Sequence, residues 1–480
     1  MLQRRIDMIQ IFHHGATHGV TGSCHELVYT QSKSVLIDCG IFQGDDYSSH
    51  GQNSANADKL AIDFSLDKVQ ALLVTHTHID HIGRIPYLFA AGFKGKIYCT
   101  QATAKLLPLM LEDALKIGFT RNARLIARVL KKINAHIVAQ PYKKWLQLDK
   151  DLTINFQPAG HILGSAYIEC DIKQGDPKQN INKKPKRVIF SGDLGAPHAP
   201  LLASPSSPSR CDTLVLECTY GDKLHKGRQY RRQKLKAIIE RCVKDKGAVL
   251  IPAFSLGRSQ ELLYEFEQII YEYGQTQKEW QGVEIIIDSP LAQKFTQIYR
   301  DLKHLWDQEA EQKVNSGRHP LKFEQLLTID SNENHRRTVA YLRKTARPVI
   351  VIAASGMCSG GRIVNYLKAL IEDKRTDIIF SGYQARGTTG RAIQKYGNKR
   401  EYKHGWVEMD HKRYQINAQV HAISGYSAHA GQNDLINFVK DIKDKPKEIR
   451  LIHGDEVAKK VLRQQLRSVS PSSVFTIPDR

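Results

Sequence analysis

The chain has 480 residues, of which 41% are hydrophobic, so it exceeds the size of one ordinary core and we expect two or three domains. Lys and Arg number 70 against 49 Asp and Glu, and the resulting charge of +21 favours a polyanionic partner such as nucleic acid, with a basic host proteome or an adaptation for solubility as the alternative interpretation. The eight cysteines form no C-x-x-C pair, and no long apolar segment follows the basic N-terminus. We therefore expect a cytoplasmic protein without signal peptide or membrane span.

Three short apolar segments open the chain, at 9–16, 23–30 and 33–39, and predict successive strands. The third segment carries Asp38 near its end, two residues before Gly40. On sequence alone an aspartate in that position is typical of a turn.

A fourth predicted strand, 69–75, leads into the sequence His76-Thr77-His78-Ile79-Asp80-His81. In an extended segment His76 and His78 face the same side, so both side chains can reach one metal ion. Asp80 and His81 follow in a turn, where they can face a second ion. Imidazole and carboxylate together suit Zn²⁺, and two ions about 3.5–4 Å apart form a common hydrolytic pair. A histidine-rich surface turn is the alternative interpretation.

The segment 101–135 has a helical pattern with basic residues at mostly helical spacing, which is typical of a solvated face. The basic residues are Arg121, Arg124, Arg128, Lys131 and Lys132.

Three further segments place single acidic or imidazole groups at predicted strand ends. His161 lies in a loop flanked by glycines, Asp193 ends the strand that starts at residue 187, and Glu217 ends the strand that starts at 213. None of the three would indicate a function by itself.

From about 230 to 395 the chain alternates short apolar strands with helical stretches, which predicts a parallel, doubly wound sheet with functional turns at the strand ends. Small residues that open a helix expose backbone N–H groups, and with an arginine nearby such a turn can hold a phosphate. The candidate phosphate contacts are Ser255, Arg258, Ser359, Arg362 and Arg386.

The last part of the chain returns to the strand-then-histidine pattern, at 419–429 and 448–455, which include His429 and His453. We therefore interpret the α/β segment as an insertion within the first domain.

Taken together, these residues resemble the β-CASP branch of the metallo-β-lactamase superfamily, which includes ribonuclease J and the polyadenylation-factor endonuclease. The matching residues are Asp38, the cluster at 76–81, His161, Asp193, Glu217, His429 and His453. The resemblance implies an α/β fold: a metallo-β-lactamase αββα sandwich with an inserted doubly wound β-CASP domain. We expect the sandwich to comprise 1–216 and 416–480, with the insertion at 217–415.

The resemblance also implies the residue roles. One zinc ion would be held by His76, His78, His161 and Asp193, and the other by Asp80, His81, Asp193 and His453. Asp38 would orient a ligand histidine. A hydroxide between the ions would attack the phosphorus, while His429, held by Glu217, would protonate the leaving group and leave 5′-phosphate and 3′-hydroxyl ends.

The substrate expected from the resemblance is single-stranded RNA, because a histidine at the position of His453 goes with RNA whereas DNA-repair members usually carry valine. A DNA nuclease, a small-molecule metallo-hydrolase and a catalytically silent RNA-binding scaffold are the alternatives. Mn²⁺ in place of Zn²⁺, a homodimer, and endonucleolytic or 5′-exonucleolytic cleavage stay open. Leu216, Cys218 and Gly431 depart from the family pattern, and Gly431 is expected to loosen the segment that presents His429.

Overall fold

The computed structural model describes residues 9–43, 60–173, 184–225, 230–345, 347–382, 384, 387–397, 405–423 and 425–479. Its secondary structure is as follows, in chain order. The first part has β1 (Gln10–His13), β2 (His25–Thr30), β3 (Lys33–Ile37), β4 (Val69–Leu73), α1 (Ile79–Ile82), α2 (Ile85–Ala90), β5 (Lys96–Thr100), α3 (Gln101–Gly118), α4 (Ala123–Asn134), β6 (Ile137–Gln140), β7 (Leu146–Gln147), β8 (Leu152–Pro158), β9 (Ala166–Ile172), β10 (Lys186–Phe190) and β11 (Thr213–Glu217).

The middle part has α5 (Arg231–Asp245), β12 (Ala248–Pro252), α6 (Arg258–Tyr273), β13 (Glu284–Asp288), α7 (Pro290–Asp301), α8 (Gln308–Asn315), β14 (Leu326–Thr328), α9 (Asn332–Lys344), β15 (Val349–Ala353), α10 (Arg362–Leu370), β16 (Asp377–Phe380), α11 (Thr389–Tyr396), β17 (Trp406–Met409), β18 (Lys412–Gln415) and β19 (Gln419–Ala422). The last part has α12 (Gln432–Lys440), β20 (Glu448–Ile452), α13 (Glu456–Val469) and β21 (Val474–Thr476).

The chain forms two compact units: one of 1–198, 203–224 and 429–480, the other of 199–202 and 225–428. The expected insertion was 217–415. Residues 218–224 remain with the first unit because β11, just before them, is paired in parallel with β20. Residues 419–422 belong to the second unit because β19 pairs with β16.

The first unit is a sandwich of two sheets, with strand orders β1-β2-β3-β4-β5-β6 and β21-β20-β11-β10-β9-β8-β7. Alternate residues of both sheets, such as Leu27, Leu73, Ile154 and Phe190, form the core between them. Helices α2 and α3 cover the outer face of the first sheet, and α12 and α13 cover that of the second. The expected αββα architecture is confirmed.

The second unit has a fully parallel sheet in the order β14-β13-β15-β12-β16-β19. On one face Leu250, Val351 and Phe380 join a core with α9, α10 and α11. The intervening residues, such as Val249 and Ile350, are also buried, so the sheet is covered on both faces. This explains the continuous apolar strands in the sequence and confirms the doubly wound fold.

Two local predictions need correction. The segment 101–135 is two helices rather than one, because the chain turns at 119–122 and Asn122 caps α4 by accepting the N–H of Leu125. Asp80 and His81 lie in the one-turn helix α1 rather than in an irregular turn. None of the helices in the described part of the chain combines the length and the apolarity that a membrane span requires.

Candidate metal centre

The side chain of Asp38 joins the ends of two neighbouring strands. Asp38 follows β3 with a left-handed backbone (φ 60°). Its two carboxylate oxygens accept the backbone N–H and the hydroxyl of Thr75, both at 2.8 Å, just beyond the end of β4. The backbone that leads into His76 is therefore held in place before it reaches the first histidine.

The structure brings the seven expected metal ligands together in two groups that share Asp193. The first group is His76, His78, His161 and Asp193, and the second is Asp80, His81, Asp193 and His453. Within each group, one ligand atom of each residue lies within 4.8 Å of the others.

The two carboxylate oxygens of Asp193 face different groups. Oδ2 lies 3.4 Å from His76 Nε2 and 3.5 Å from His161 Nε2. Oδ1 lies 3.3 Å from His81 Nε2 and 3.6 Å from His453 Nε2. This arrangement is the one expected of a carboxylate that bridges two ions.

Hydrogen bonds outside the centre set the tautomers of three histidines. His81 donates its Nδ1–H to Asp38 (2.8 Å). Since the Thr75 hydroxyl donates to Asp38, it accepts from Nδ1 of His76 (3.1 Å). The hydroxyl of Thr219 likewise lies 3.1 Å from Nδ1 of His453. In each ring Nε2 is left with a lone pair that faces the centre, as a metal ligand requires.

The donor atoms fit a cation. Ring nitrogens lie close together in both groups. In the first, His78 Nδ1 is 3.1 Å from His76 Nε2 and 2.9 Å from His161 Nε2. In the second, His81 Nε2 is 3.2 Å from His453 Nε2. Asp193 Oδ1 is buried and has no hydrogen bond with any described residue. A cation between these lone pairs would remove their mutual repulsion, and the mixed nitrogen and oxygen set suits zinc.

Burial keeps the first group's histidines neutral. It lowers the pKa of His78 to about 3, and the repulsion that two protonated rings would have at His78 and His76 adds to this effect. Burial and the charge of His429 lower the pKa of His161 well below its ordinary value. For His81, burial is outweighed by the carboxylates of Asp193 and Asp80, which raise the pKa well above its ordinary value. The centre thus attracts positive charge, which a metal ion can supply in place of a proton.

His429 and Glu217 lie beside the first group. Nδ1 of His429 is 3.3 Å from Glu217 Oε1 and 3.8 Å from Asp193 Oδ2. Glu217 also accepts the backbone N–H groups of Leu194 (2.8 Å) and Thr219 (3.1 Å). Burial lowers the pKa of His429, but the charges of Glu217 and Asp193 outweigh it and raise the pKa to about 9. Asp193, Glu217 and His429 are also close enough to form a third ligand group.

Backbone pairing with the segment after Asp193 holds His429 in place. His429 forms an antiparallel bridge with Gly195, and the N–H of Ala430 donates to the carbonyl of Leu194 (2.7 Å). Gly431 donates its N–H to Asp434 at the start of α12 (2.9 Å). The expected loosening at Gly431 is therefore opposed by contacts on both sides.

The candidate phosphate contacts all belong to the second unit, and three of the four that the structure describes are engaged within that unit. Arg362 pairs with Asp288 (2.6 Å) and donates to the carbonyl of Ile329 (3.0 Å). Arg258 pairs with Glu261, and the hydroxyl of Ser255 lies 3.0 Å from that of Ser289. Ser359 is exposed, and Arg386 lies outside the described residues. These contacts stay predictions.

Sequence reasoning missed Thr75 and Thr219, whose hydroxyls lie beside the candidate ligand histidines His76 and His453. Thr75 directly precedes His76, so a search for hydroxyls next to ligands would have included it. Thr219 is 234 residues from His453, and only the pairing of β11 with β20 brings the two together.

Three family models match the chain. The metallo-β-lactamase superfamily model matches 19–165, the Beta-Casp domain model matches 259–393, and the model of the Zn-dependent metallo-hydrolase RNA specificity domain matches 413–477.

Similar proteins include "Ribonuclease TTHA0252" of Thermus thermophilus, 32% identical over 442 residues that cover 92% of each chain. "Transcription termination factor FttA" of Methanocaldococcus jannaschii is 30% identical over 92% of this chain and 66% of its own length. A solved structure of a protein of unknown function from Enterococcus faecalis V583 shares the fold, with a TM-score of 0.54, 12% identity and coverage of 98% of this chain and 97% of its own. Identity and coverage at this level show that the chain belongs to the β-CASP family of metallo-β-lactamase-fold, metal-dependent hydrolytic nucleases.

Proposed function

We propose that the protein is a dizinc ribonuclease that hydrolyses phosphodiester bonds of single-stranded RNA and leaves 5′-phosphate and 3′-hydroxyl ends. The observation that carries this proposal is Asp193, whose two oxygens each face a separate set of three further ligands. The match to an RNA specificity domain and the ribonuclease name of the Thermus protein support RNA as the substrate.

The ligand roles follow from the two groups. His76, His78, His161 and Asp193 would hold one ion; Asp80, His81, Asp193 and His453 would hold the other. When bound, two such ions activate water as a nucleophile and offset negative charge on the phosphate oxygens. Asp38, Thr75 and Thr219 keep three of the ligand rings in the tautomer that can bind metal.

His429 is proposed to protonate the leaving 3′ oxygen. Its Nδ1 faces Glu217, so the ring orientation is set by a carboxylate that is itself held by two backbone N–H groups. Nε2 is then the atom that would donate the proton. Because the surrounding carboxylates raise the pKa of His429, the ring holds this proton near neutral pH.

Cleavage of end-labelled RNA by purified protein tests this proposal. We expect cleavage of single-stranded RNA, loss of activity with a strong chelator, recovery with zinc, and about two zinc ions per chain. Parallel reactions with Mn²⁺ identify the working metal. Labels at the 5′ and 3′ ends, on monophosphate and triphosphate RNA, separate endonucleolytic from 5′-exonucleolytic cleavage, and sedimentation tests for a homodimer.

Equal rates on single-stranded DNA would favour a DNA nuclease instead. Zinc content near one per chain, or products with 5′-hydroxyl ends, would contradict the two-ion mechanism. Hydrolysis of a lactam or thioester without RNA cleavage would point to a small-molecule hydrolase.

A further inference from the structure

The longest segment of the chain without acidic residues is also strongly basic. From 114 to 148 there are 35 residues with eight Lys and Arg but no Asp or Glu, although the whole chain has about one acidic residue in ten. The segment includes α4 and lies within the first unit.

Five of its cations form what we call the basic stripe: Arg121, Arg124, Arg128, Lys131 and Lys132. All five are exposed, whereas Ile126 and Ile133 bury the opposite side of α4. The spacing of four and three residues from Arg124 through Arg128 to Lys131 puts these side chains on one face of α4, and Arg121 lies just before the N-cap of the helix. From Arg124 to Lys131 the stripe runs about 10 Å along the axis.

A merely solvated helix face normally mixes charges. Elsewhere in this protein, exposed helices carry ion pairs at four-residue spacing, such as Lys116 with Glu112 and Lys460 with Glu456. No residue of the basic stripe is in an ion pair with any described residue. Like charges three or four residues apart on a helix repel one another. The positive charges of the basic stripe therefore lower the stability of the helix unless a polyanion binds there.

An exposed aromatic side chain lies beside the N-terminal end of the basic stripe. Phe119, in the turn before α4, is 58% exposed, and neighbouring Ile117 is 80% exposed. The ring of Phe119 packs edge to face with Tyr87 of α2 at 6.1 Å. An exposed ring held in this way can stack on a nucleobase. Tyr87 is six residues after His81 of the candidate metal centre, so the backbones of these two residues can be at most about 20 Å apart.

We infer that the basic stripe and Phe119 form a second RNA-contact surface, which binds the phosphates and one base of a single-stranded substrate outside the metal centre. The evenly spaced phosphates of a single strand can pair with the row of cations, and an unstacked base can stack on the exposed ring of Phe119. This inference rests on the proposed RNA substrate. Long RNA would contact both the metal centre and the stripe, whereas a short oligonucleotide would occupy the metal centre alone.

The test compares two triple variants with the same change in net charge. The stripe variant carries Arg121→Glu, Arg124→Glu and Arg128→Glu. The control carries Lys440→Glu, Lys443→Glu and Arg467→Glu, three exposed cations near the C-terminal end of the same unit. The Kd for a fluorescent single-stranded RNA is measured by anisotropy over a range of salt concentrations, and kcat and KM are measured on long and short RNA.

For the stripe variant, the Kd and the KM for long RNA should rise at least about ten-fold at low salt. The slope of log Kd against log salt should fall by about two, since each lost contact with a single strand removes about 0.7. Phe119→Ala should weaken binding about five-fold or more, the effect of losing one stacked base. The control variant, and kcat on the short oligonucleotide, should not change.

The inference is overturned if long RNA binds the stripe variant as tightly as the wild type, or if the control variant loses as much affinity. It is also overturned if the stripe variant loses binding to polyglutamate but not to RNA, which would indicate an acidic protein partner. Stripe-dependent RNA binding without any RNA cleavage by the wild type would support this surface and contradict the proposed function.

Discussion

Asp38 and His81, 43 residues apart in the chain, are joined by a hydrogen bond of 2.8 Å from Nδ1 of the imidazole to Oδ2 of the carboxylate. The same carboxylate accepts from the backbone and the hydroxyl of Thr75. One side chain therefore fixes both the ring of a candidate ligand and the strand end from which the other ligands depart.

Asp38→Asn is expected to weaken metal binding about 10- to 100-fold, the usual effect of losing a group that orients a ligand. An amide can donate to the lone pair that should receive the His81 proton, so the ring loses its preferred tautomer. Zinc affinity is measured by competition with a chromogenic chelator. Asp149→Asn is the matched control, because Asp149 binds Tyr29 and Lys33 rather than the metal centre. Equal zinc affinity in Asp38→Asn and the wild type would contradict the orienting role.

Asp193→Ala is expected to reduce the zinc content below one ion per chain and to abolish RNA cleavage, because this carboxylate is shared by both ligand groups. Elemental analysis of dialysed protein measures the content. His78→Ala provides a comparison, since His78 belongs to the first group alone and should leave the second ion bound. If Asp193→Ala retained two ions, Asp193 would not be a bridge.

His429→Ala is expected to retain both ions but to lower kcat about 10²- to 10⁴-fold, the range for removing a general acid. Glu217→Gln should have a smaller effect in the same direction, because the ring remains while its orienting charge is lost. Zinc content is measured on the same preparations. A loss of zinc from His429→Ala would instead identify the third group, Asp193, Glu217 and His429, as a metal site.

Gly40→Ala is expected to destabilise the protein by about 1–3 kcal/mol or more, since an added Cβ would lie 1.5 Å from the carbonyl oxygen of Asp80. The backbone that carries Asp80 and His81 must then move, so zinc affinity should fall as well. Gly118→Ala is the control, because nothing lies within 4 Å of its Cβ position at the end of α3. Denaturant titration measures both variants. Wild-type stability in Gly40→Ala would show that this contact is not tight.

Local patterns in the sequence were sufficient to predict individual strands and helices. The alternation of short apolar strands and helices predicted the parallel sheet of the second unit, because a strand buried on both faces must be apolar at every position. The sequence His76-Thr77-His78-Ile79-Asp80-His81 predicted ligands for two ions, because neighbouring residues on one strand end and one turn must stay close together. The break between α3 and α4 was missed because helical periodicity continues across it.

Strand register in the folded protein decided which distant residues join the candidate metal centre. Glu217 of β11 is opposite Ile452 of β20, so the next residues, Cys218 and His453, are adjacent, with the N–H of Cys218 donating to the carbonyl of His453 (3.0 Å). A register shifted by one residue would turn these side chains to the other face of the sheet. Composition and periodicity contain no information about pairing over 235 residues, whereas in the folded protein this alignment of β11 and β20 places Val215 and Ile452 in the core between the two sheets.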